Sequence, residues 1–224
     1  MPVLLLVALA QTPKMPEELK GIPLLELQWK ANHGDPLAMV DLAWKYHRGE
    51  GTPRDVTRAV KLFRQAAQMG NAEAKFQLGL CYGVGDGVSR DPVQARRWVD
   101  EAARQDHPGA MWILGTYYET GFGVAGKGPQ FGIAFEWFKR AADFGLIPAM
   151  QKVGRYYLEG KMGYKDRVQG CIWLRLASER QGGGVTQEVT RLEAKMTSVE
   201  RSRILEQVSA LKAKWPAKEP AETH

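Results

Sequence analysis

Cysteine is almost absent: Cys81 and Cys171 are the only two in 224 residues, and neither has a second cysteine or a histidine at metal-ligand spacing. That scarcity excludes a disulfide framework and speaks against a structural zinc site, leaving two buried thiols that act as small apolar side chains. Histidine is as sparse. His33, His47, His107 and His224 lie far apart, none in H-E-x-x-H, and G-x-S-x-G does not occur. The usual signatures of metal-dependent and serine hydrolysis are therefore missing, and no catalytic residue, cofactor-binding residue or metal ligand is expected. Long apolar runs are missing too: Val3–Ala10 has eight residues, against the ~20 needed to cross a bilayer, so no integral membrane segment is expected. The run ends in Ala8-Leu9-Ala10 before polar Gln11 and Thr12, the shape of a secretory cleavage region without the basic residues that normally precede one. A periplasmic or secreted location is expected, the alternatives being a cytoplasmic protein, a start assigned too far downstream, or an apolar tail packed on the first helix. Runs of β-branched residues are scarce as well, whereas alanine, glycine and aromatics are plentiful, a balance that favours closely packed helices over sheet.

The net charge of +6 is unevenly spread: residues 1–150 hold 17 basic and 16 acidic side chains, residues 151–224 hold 14 and 9. In the basic third, Arg191, Lys195, Arg201, Arg203, Lys212 and Lys214 alternate with Glu188, Glu193, Glu200 and Glu206, which is a solvated helix face, and no aromatic–basic interleaving accompanies it. No nucleic-acid partner is expected.

A repeat organises the chain. Counting from Ala38, Ala74, Ala110 and Ala149 as position 0, position 4 holds Leu42, Leu78, Leu114 and Val153, position 5 holds Ala43, Gly79, Gly115 and Gly154, and position 8 holds Tyr46, Tyr82, Tyr118 and Tyr157. Offsets of 0, 4, 5 and 8 mark one stripe of a helix. Position 11 is glycine in every copy (Gly49, Gly85, Gly121, Gly160), and position 13 is Gly51, Gly87, Gly123 and, in the fourth copy, Met162. A second stripe follows with Ala59, Ala95, Ala134 and Gly170, then Leu62, Trp98, Trp137 and Trp173, then the small pairs at residues 66–67, 102–103, 141–142 and 177–178. Each copy is helix A, a glycine turn and helix B, with the third turn lengthened around Ala125–Gly128. Units are expected near 34–70, 71–106, 107–145 and 146–182, within a body spanning 17–182. A half-repeat in Leu24–Ala38 precedes them. Residues 1–16 read as a leader, 183–216 as capping helices near Gln187–Lys195 and Val199–Lys214, and 217–224 as a loose tail.

The residues Ala74, Leu78-Gly79, Tyr82, Gly83–Asp91, Ala95, Trp98 and Glu101–Gln105 resemble the Sel-one-like repeat family, relatives of the tetratricopeptide repeats. The resemblance covers about Gly34–Gln181 and departs at Ala43, Met162 and Gly170. It implies an all-α fold, a right-handed α/α superhelix of about four helix-turn-helix repeats with terminal caps, because each unit buries its apolar face only against neighbours. It also implies a non-enzymatic, monomeric adaptor that binds a protein or peptide, often in the bacterial cell envelope. Some exported relatives act as immunity proteins against secreted toxins. Cysteine-rich members have been credited with binding or hydrolysing β-lactams, but this chain lacks their regular cysteine pairs.

By analogy with tetratricopeptide geometry, positions 2, 3, 6 and 9 of helix A face the groove: Val40, Asp41, Trp44 and His47; Phe76, Gln77, Leu80 and Gly83; Trp112, Ile113, Thr116 and Glu119; Gln151, Lys152, Arg155 and Leu158. The partner-binding set is expected to be Trp44, His47, Phe76, Leu80, Trp112, Glu119, Lys152 and Arg155, an aromatic–apolar middle with a cationic end. Aromatics and arginine dominate interface hot spots.

One stretch invites a different reading, since Gly121, Gly126 and Lys127 spell G-x-x-x-x-G-K. A phosphate loop needs a strand before it, a helix start after it and a hydroxyl following the lysine, where Gly128 stands. Gly121 and Gly123 match the turn glycines of the other copies, so the segment is a hairpin turn with an insertion.

Overall fold

The computed structural model describes residues 14–123, 128–182 and 186–214. The Val3–Ala10 run, the Val124–Lys127 part of the third-turn insertion and the tail from Trp215 onward lie outside the described residues. Eleven α-helices are present among those residues, after a 3-10 turn at Glu17–Leu19, and no strand. They fall into two compact units, Met1–Asp91 and Pro92–His224. The first holds α1 (Pro23–Asn32), α2 (Pro36–Arg48), α3 (Val56–Gln68) and α4 (Ala72–Val84). The second holds α5 (Pro92–Ala103), α6 (Pro108–Thr120), α7 (Phe131–Asp143), α8 (Ile147–Glu159), α9 (Arg167–Arg180), α10 (Gln187–Glu193) and α11 (Ser198–Lys212).

The A helices α2, α4, α6 and α8 start and stop for local reasons. Asp35, Asn71 and His107 each accept a hydrogen bond from a first-turn amide, and Pro36 and Pro108 then open their helices at a position with no amide bond to lose. Each A helix ends at position 11 on a glycine in the left-handed region, with φ of 75° at Gly49, 86° at Gly85, 76° at Gly121 and 74° at Gly160. Asp55 and Asp166 cap α3 and α9 in the same way.

Burial confirms the anchor stripe and corrects its helix-B partner. Position 0 and position 4 are buried in all four copies. On helix B of the first three copies, however, the deep large side chains are Phe63 (1% exposed), Val99 (0%) and Phe138 (0%), one residue beyond Leu62, Trp98 and Trp137, which are only half-buried, whereas Trp173 of the fourth copy is itself buried. Helices pack closely through small residues. A Cβ on Gly115 would stand 2.7 Å from the Phe138 ring, and one on Gly154 would meet Leu174 Cγ at 2.8 Å and the Gly170 carbonyl at 3.0 Å. The fourth copy's departure to Gly170 thus serves a closer approach of α8 and α9. Its missing loop glycine at Met162 is replaced one residue on by Gly163, with φ 87°.

The C-terminal cap forms as the sequence suggests. Thr197 and Glu200 make a reciprocal capping box at the start of α11, whose Ile204 and Val208 are buried. Arg175 on α9 donates to Glu179 at 2.9 Å and to Glu193, at the end of α10, at 2.6 Å, and Lys212 on α11 reaches Glu179 at 2.8 Å. These charges tie α9 to both cap helices.

Candidate functional site

The predicted binding residues lie on helix A in both units, and each unit has its own chemistry. In the first, Trp44 (position 6 of α2) is half-buried, edge-on to Phe63 at 5.5 Å and to His47 at 5.4 Å, with the Arg48 guanidinium 4.7 Å over its ring. His47, one turn on at position 9, sits 2.8 Å from Asp86 Oδ2, across two consecutive repeats. Phe76 and Leu80 on α4 are also half-buried. An open cleft of about 440 Å³ lies between α1 and α2, walled by Pro23 and Leu27 on one side and by Asp41, Trp44, Lys45 and Arg48 on the other.

In the second unit Trp112 leans on Phe138 at 5.0 Å and stays half-buried. The expected cationic end is not an open positive patch. Lys152 Nζ lies 2.7 Å from Glu119, and Arg155 lies 3.4 Å from Glu188 at the start of α10. Glu119, whose side chain is 13% exposed, also accepts from the Tyr156 hydroxyl at 3.0 Å and from Lys161 at 3.3 Å. Burial alone would raise the Glu119 carboxyl, but the hydrogen bonds from Lys152 and Tyr156 outweigh it and hold the group below the usual carboxylate range. Burial, then the hydrogen bond to Glu119, pushes the Tyr156 hydroxyl well above an ordinary phenol.

The helical pattern alone does not single out Phe63, Phe138, Tyr156 or Lys161. The signal existed: position 12 is Glu50, Asp86 and Lys161 in copies one, two and four, a charged position in each. In both units position 9 meets position 12 of the following copy through a pair that includes one carboxylate, His47 with Asp86 and Glu119 with Lys161.

The remaining titratable groups take structural parts. His107 Nδ1 accepts from the Ala110 amide at 3.0 Å as the cap of α6, and His33 stacks on Trp29 with centroids 4.0 Å apart. Both cysteines are buried free thiols. Burial and the Asp86 charge push Cys81 up to about 11, and burial with the Glu193 charge pushes Cys171 up to about 12, so neither supplies thiolate near neutral pH. Among the described residues no group of three or more histidine, cysteine or acidic side chains could hold a metal ion, and no helix is long and apolar enough to cross a membrane.

A family model for the Sel1 repeat matches residues 36–71, 72–107, 108–145 and 147–181. The chain belongs to the Sel1 repeat family. Sel1 repeats are helical-solenoid units that serve as protein-interaction scaffolds. Among solved structures, a Sel1 repeat protein from Oxalobacter formigenes is 34% identical over 58% of this chain and 96% of its own, with a TM-score of 0.54. The uropathogenic Escherichia coli protective antigen c5321, which displays an SLR fold, is 26% identical over 87% of this chain, with a TM-score of 0.63. This chain spans 45% of that one. The Pseudomonas aeruginosa immunity protein Pa5087 is 18% identical over 94% of this chain and 84% of its own, with a TM-score of 0.52, a likeness of fold alone. No curated protein matches the chain.

Proposed function

We propose that this Sel1 repeat protein is a non-enzymatic scaffold that binds a protein or peptide partner on the helix-A residues of its repeats, without nucleic acid, and that it works as a monomer in the bacterial cell envelope. The observation that carries the reading is partial burial. Trp44, Phe76, Leu80 and Trp112 keep ring or aliphatic surface at solvent while the anchor positions beside them are fully buried. Large apolar side chains held rigid at the surface contribute most to association, because little side-chain entropy remains to be lost on binding. Glu119, Lys152 and Arg155 then act as paired charges rather than as a cationic clamp. The envelope location rests on the Val3–Ala10 run.

Affinity capture from a cell-envelope extract, read by mass spectrometry, tests this. A Phe76→Ala/Trp112→Ala double variant should lose the captured partner while its helical circular dichroism is unchanged. Capture that survives the double substitution rules the helix-A face out. An immunity-type role, in which the partner is a secreted toxin, is the narrower form of the same reading. It requires the captured protein to be toxic when expressed alone and harmless when co-expressed with this chain.

A further inference from the structure

The second unit holds a cavity of about 640 Å³ among α7, α8, α9 and α11, inside the ~300–1,000 Å³ range of ligand sites. Gln169 and Trp173 of α9 line it at i, i+4 spacing, as do Gln207 and Leu211 of α11, with Lys214 just past that helix's end. Lys139 and Asp143 come from α7 at the same spacing. Trp173 is 4% exposed and forms the floor, while exposed Lys214 stands at the rim. Donors outnumber acceptors here. Gln169 Nε2 donates to Gln207 Oε1 at 3.3 Å, which orients both amides and leaves the Gln207 amide nitrogen without an acceptor among the described residues. The Trp173 indole N–H has no acceptor among them either. No side-chain nitrogen or oxygen of those residues is both sealed from solvent and unpartnered, so this N–H opens onto the cavity that its ring lines. Two ammonium groups add to the surplus: Lys139 meets Asp143 at 3.8 Å, and Lys214 forms no ion pair among the described residues.

We propose that this cavity binds a short acidic peptide segment, whose carboxylate accepts from the Trp173 indole N–H, the Gln207 amide and Lys214, and whose aliphatic part packs on Leu211. An indole N–H, an amide N–H and an unpaired ammonium call for a group that only accepts, and a carboxylate is the peptide group that does so with charge. It belongs either to an aspartate or glutamate side chain or to a chain end, two sources with one chemistry. Beside a nearly buried indole such hydrogen bonds form away from bulk water, where they are stronger. None of the helix-A residues proposed above lines the cavity, so the two readings fail independently.

The probe is a soluble library of N-acetylated pentapeptides, made both as C-terminal amides and as free acids, passed over immobilised full-length protein and read by mass spectrometry. Retained amides rich in aspartate or glutamate name the side chain as the source, and retained free acids without them name the chain end. The best retained peptide, carrying fluorescein at its N-terminus, is then titrated by fluorescence anisotropy. Lys214→Glu, and Ala210→Glu at the rim beside it, should each raise Kd about tenfold or more. Trp173→Phe, which keeps a ring and loses the N–H, should raise it about threefold or more. The Phe76→Ala/Trp112→Ala variant should leave Kd unchanged. Lys214 and Ala210 are exposed, so their variants keep the test valid if Trp173→Phe fails to fold. Retained peptides with no enrichment in carboxylates, or binding indifferent to the Lys214 and Ala210 variants, overturn the proposal. So does binding that is lost with Phe76 and Trp112 instead.

Discussion

In the first unit, the turn-to-turn contact between consecutive repeats runs from a histidine at position 9 to a carboxylate at position 12, whereas in the second it runs from a carboxylate at position 9 to a lysine at position 12. The geometry is kept and the carboxylate changes sides. Each A helix ends on a left-handed glycine at position 11, so the side chain one residue later emerges at a fixed place beside the preceding helix end, where both of these pairs form. The two contacts differ in depth. Side-chain exposure is 28% at His47 and 36% at Asp86, but 13% at Glu119, which has Lys152 and the Tyr156 hydroxyl as further partners. The second unit has drawn its helix-A charges into an internal network, and the first has left an open cleft beside α1.

The largest expected effects test the backbone side of this comparison, at position 13. A Cβ on Gly87 would stand 2.8 Å from the Val56 carbonyl oxygen, and one on Gly123 would collide with the Pro92 carbonyl oxygen, each at the start of the preceding B helix. The same addition at Gly51 meets nothing within 4 Å. All three glycines have positive φ, 72° at Gly51, 70° at Gly87 and 67° at Gly123, so alanine costs about 1–2 kcal/mol at each from conformation alone. Collision with backbone adds about 1–3 kcal/mol at Gly87 and Gly123 only. Urea denaturation should therefore rank Gly51→Ala well below the other two. Equal losses at all three would mean that the turn does not close on the preceding B helix.

Next in size is the charge network. Glu119→Gln should cost about 1–3 kcal/mol, because two lysines and a tyrosine hydroxyl lose a buried anionic acceptor, while Asp86→Asn should cost under about 1 kcal/mol for a partly exposed pair. Acid sharpens the contrast. The Glu119 carboxyl is held lower in the folded state than in the unfolded chain, where it titrates near 4.5, so its contribution is present above that pH and is lost as the pH falls through the folded value. Hydrogen exchange below about pH 4.5 should show protection falling at α6 and α8, and the Glu119→Gln variant should flatten that dependence. A wild-type and a variant that lose protection in parallel would remove Glu119 from the account.

How far the sequence reaches depends on whether a feature is periodic or relational. The anchor alanines and stop glycines recur at fixed offsets, and burial at 0–4% and φ near 75–86° follow directly. Helix B was harder to read because large apolar side chains occupy adjacent positions, Leu62 and Phe63, or Trp137 and Phe138. Periodicity cannot say which of two neighbours faces inward. Ring size does not decide it: Phe138 is fully buried while Trp137 stays half-buried under the Arg140 guanidinium at 4.8 Å, yet Trp173 of the fourth copy is buried. The helix-A face illustrates the other limit. Lys152 and Arg155 look like free cations along their own helix, yet their partners Glu119 and Glu188 lie on α6 and α10, 33 residues away in each case. Their pairing is a property of how helices stack, which no local pattern carries.

The smallest effect concerns a turn that breaks the glycine rule. Where one helix pair leads into the next, Gly34, Gly70 and Gly145 take φ of 88°, 92° and 85°, but the turn between Gly70 and Gly145 carries Asp106 at φ 59°. A side chain there costs about 1–2 kcal/mol relative to glycine. Its carboxylate lies 2.9 Å from the Arg140 guanidinium, yet both side chains are about half exposed, at 59% and 47%, so the pair returns well under 1 kcal/mol. Glycine also loses more backbone freedom on folding, which takes back part of the relief. Asp106→Gly should therefore raise the stability by no more than about 1 kcal/mol, and Asp106→Ala, which keeps the strain and loses the pair, should lower it. Thermal melts of the two variants separate the terms: if both destabilise equally, the pair with Arg140 outweighs the strain, and the aspartate is held there by charge rather than tolerated in spite of its backbone.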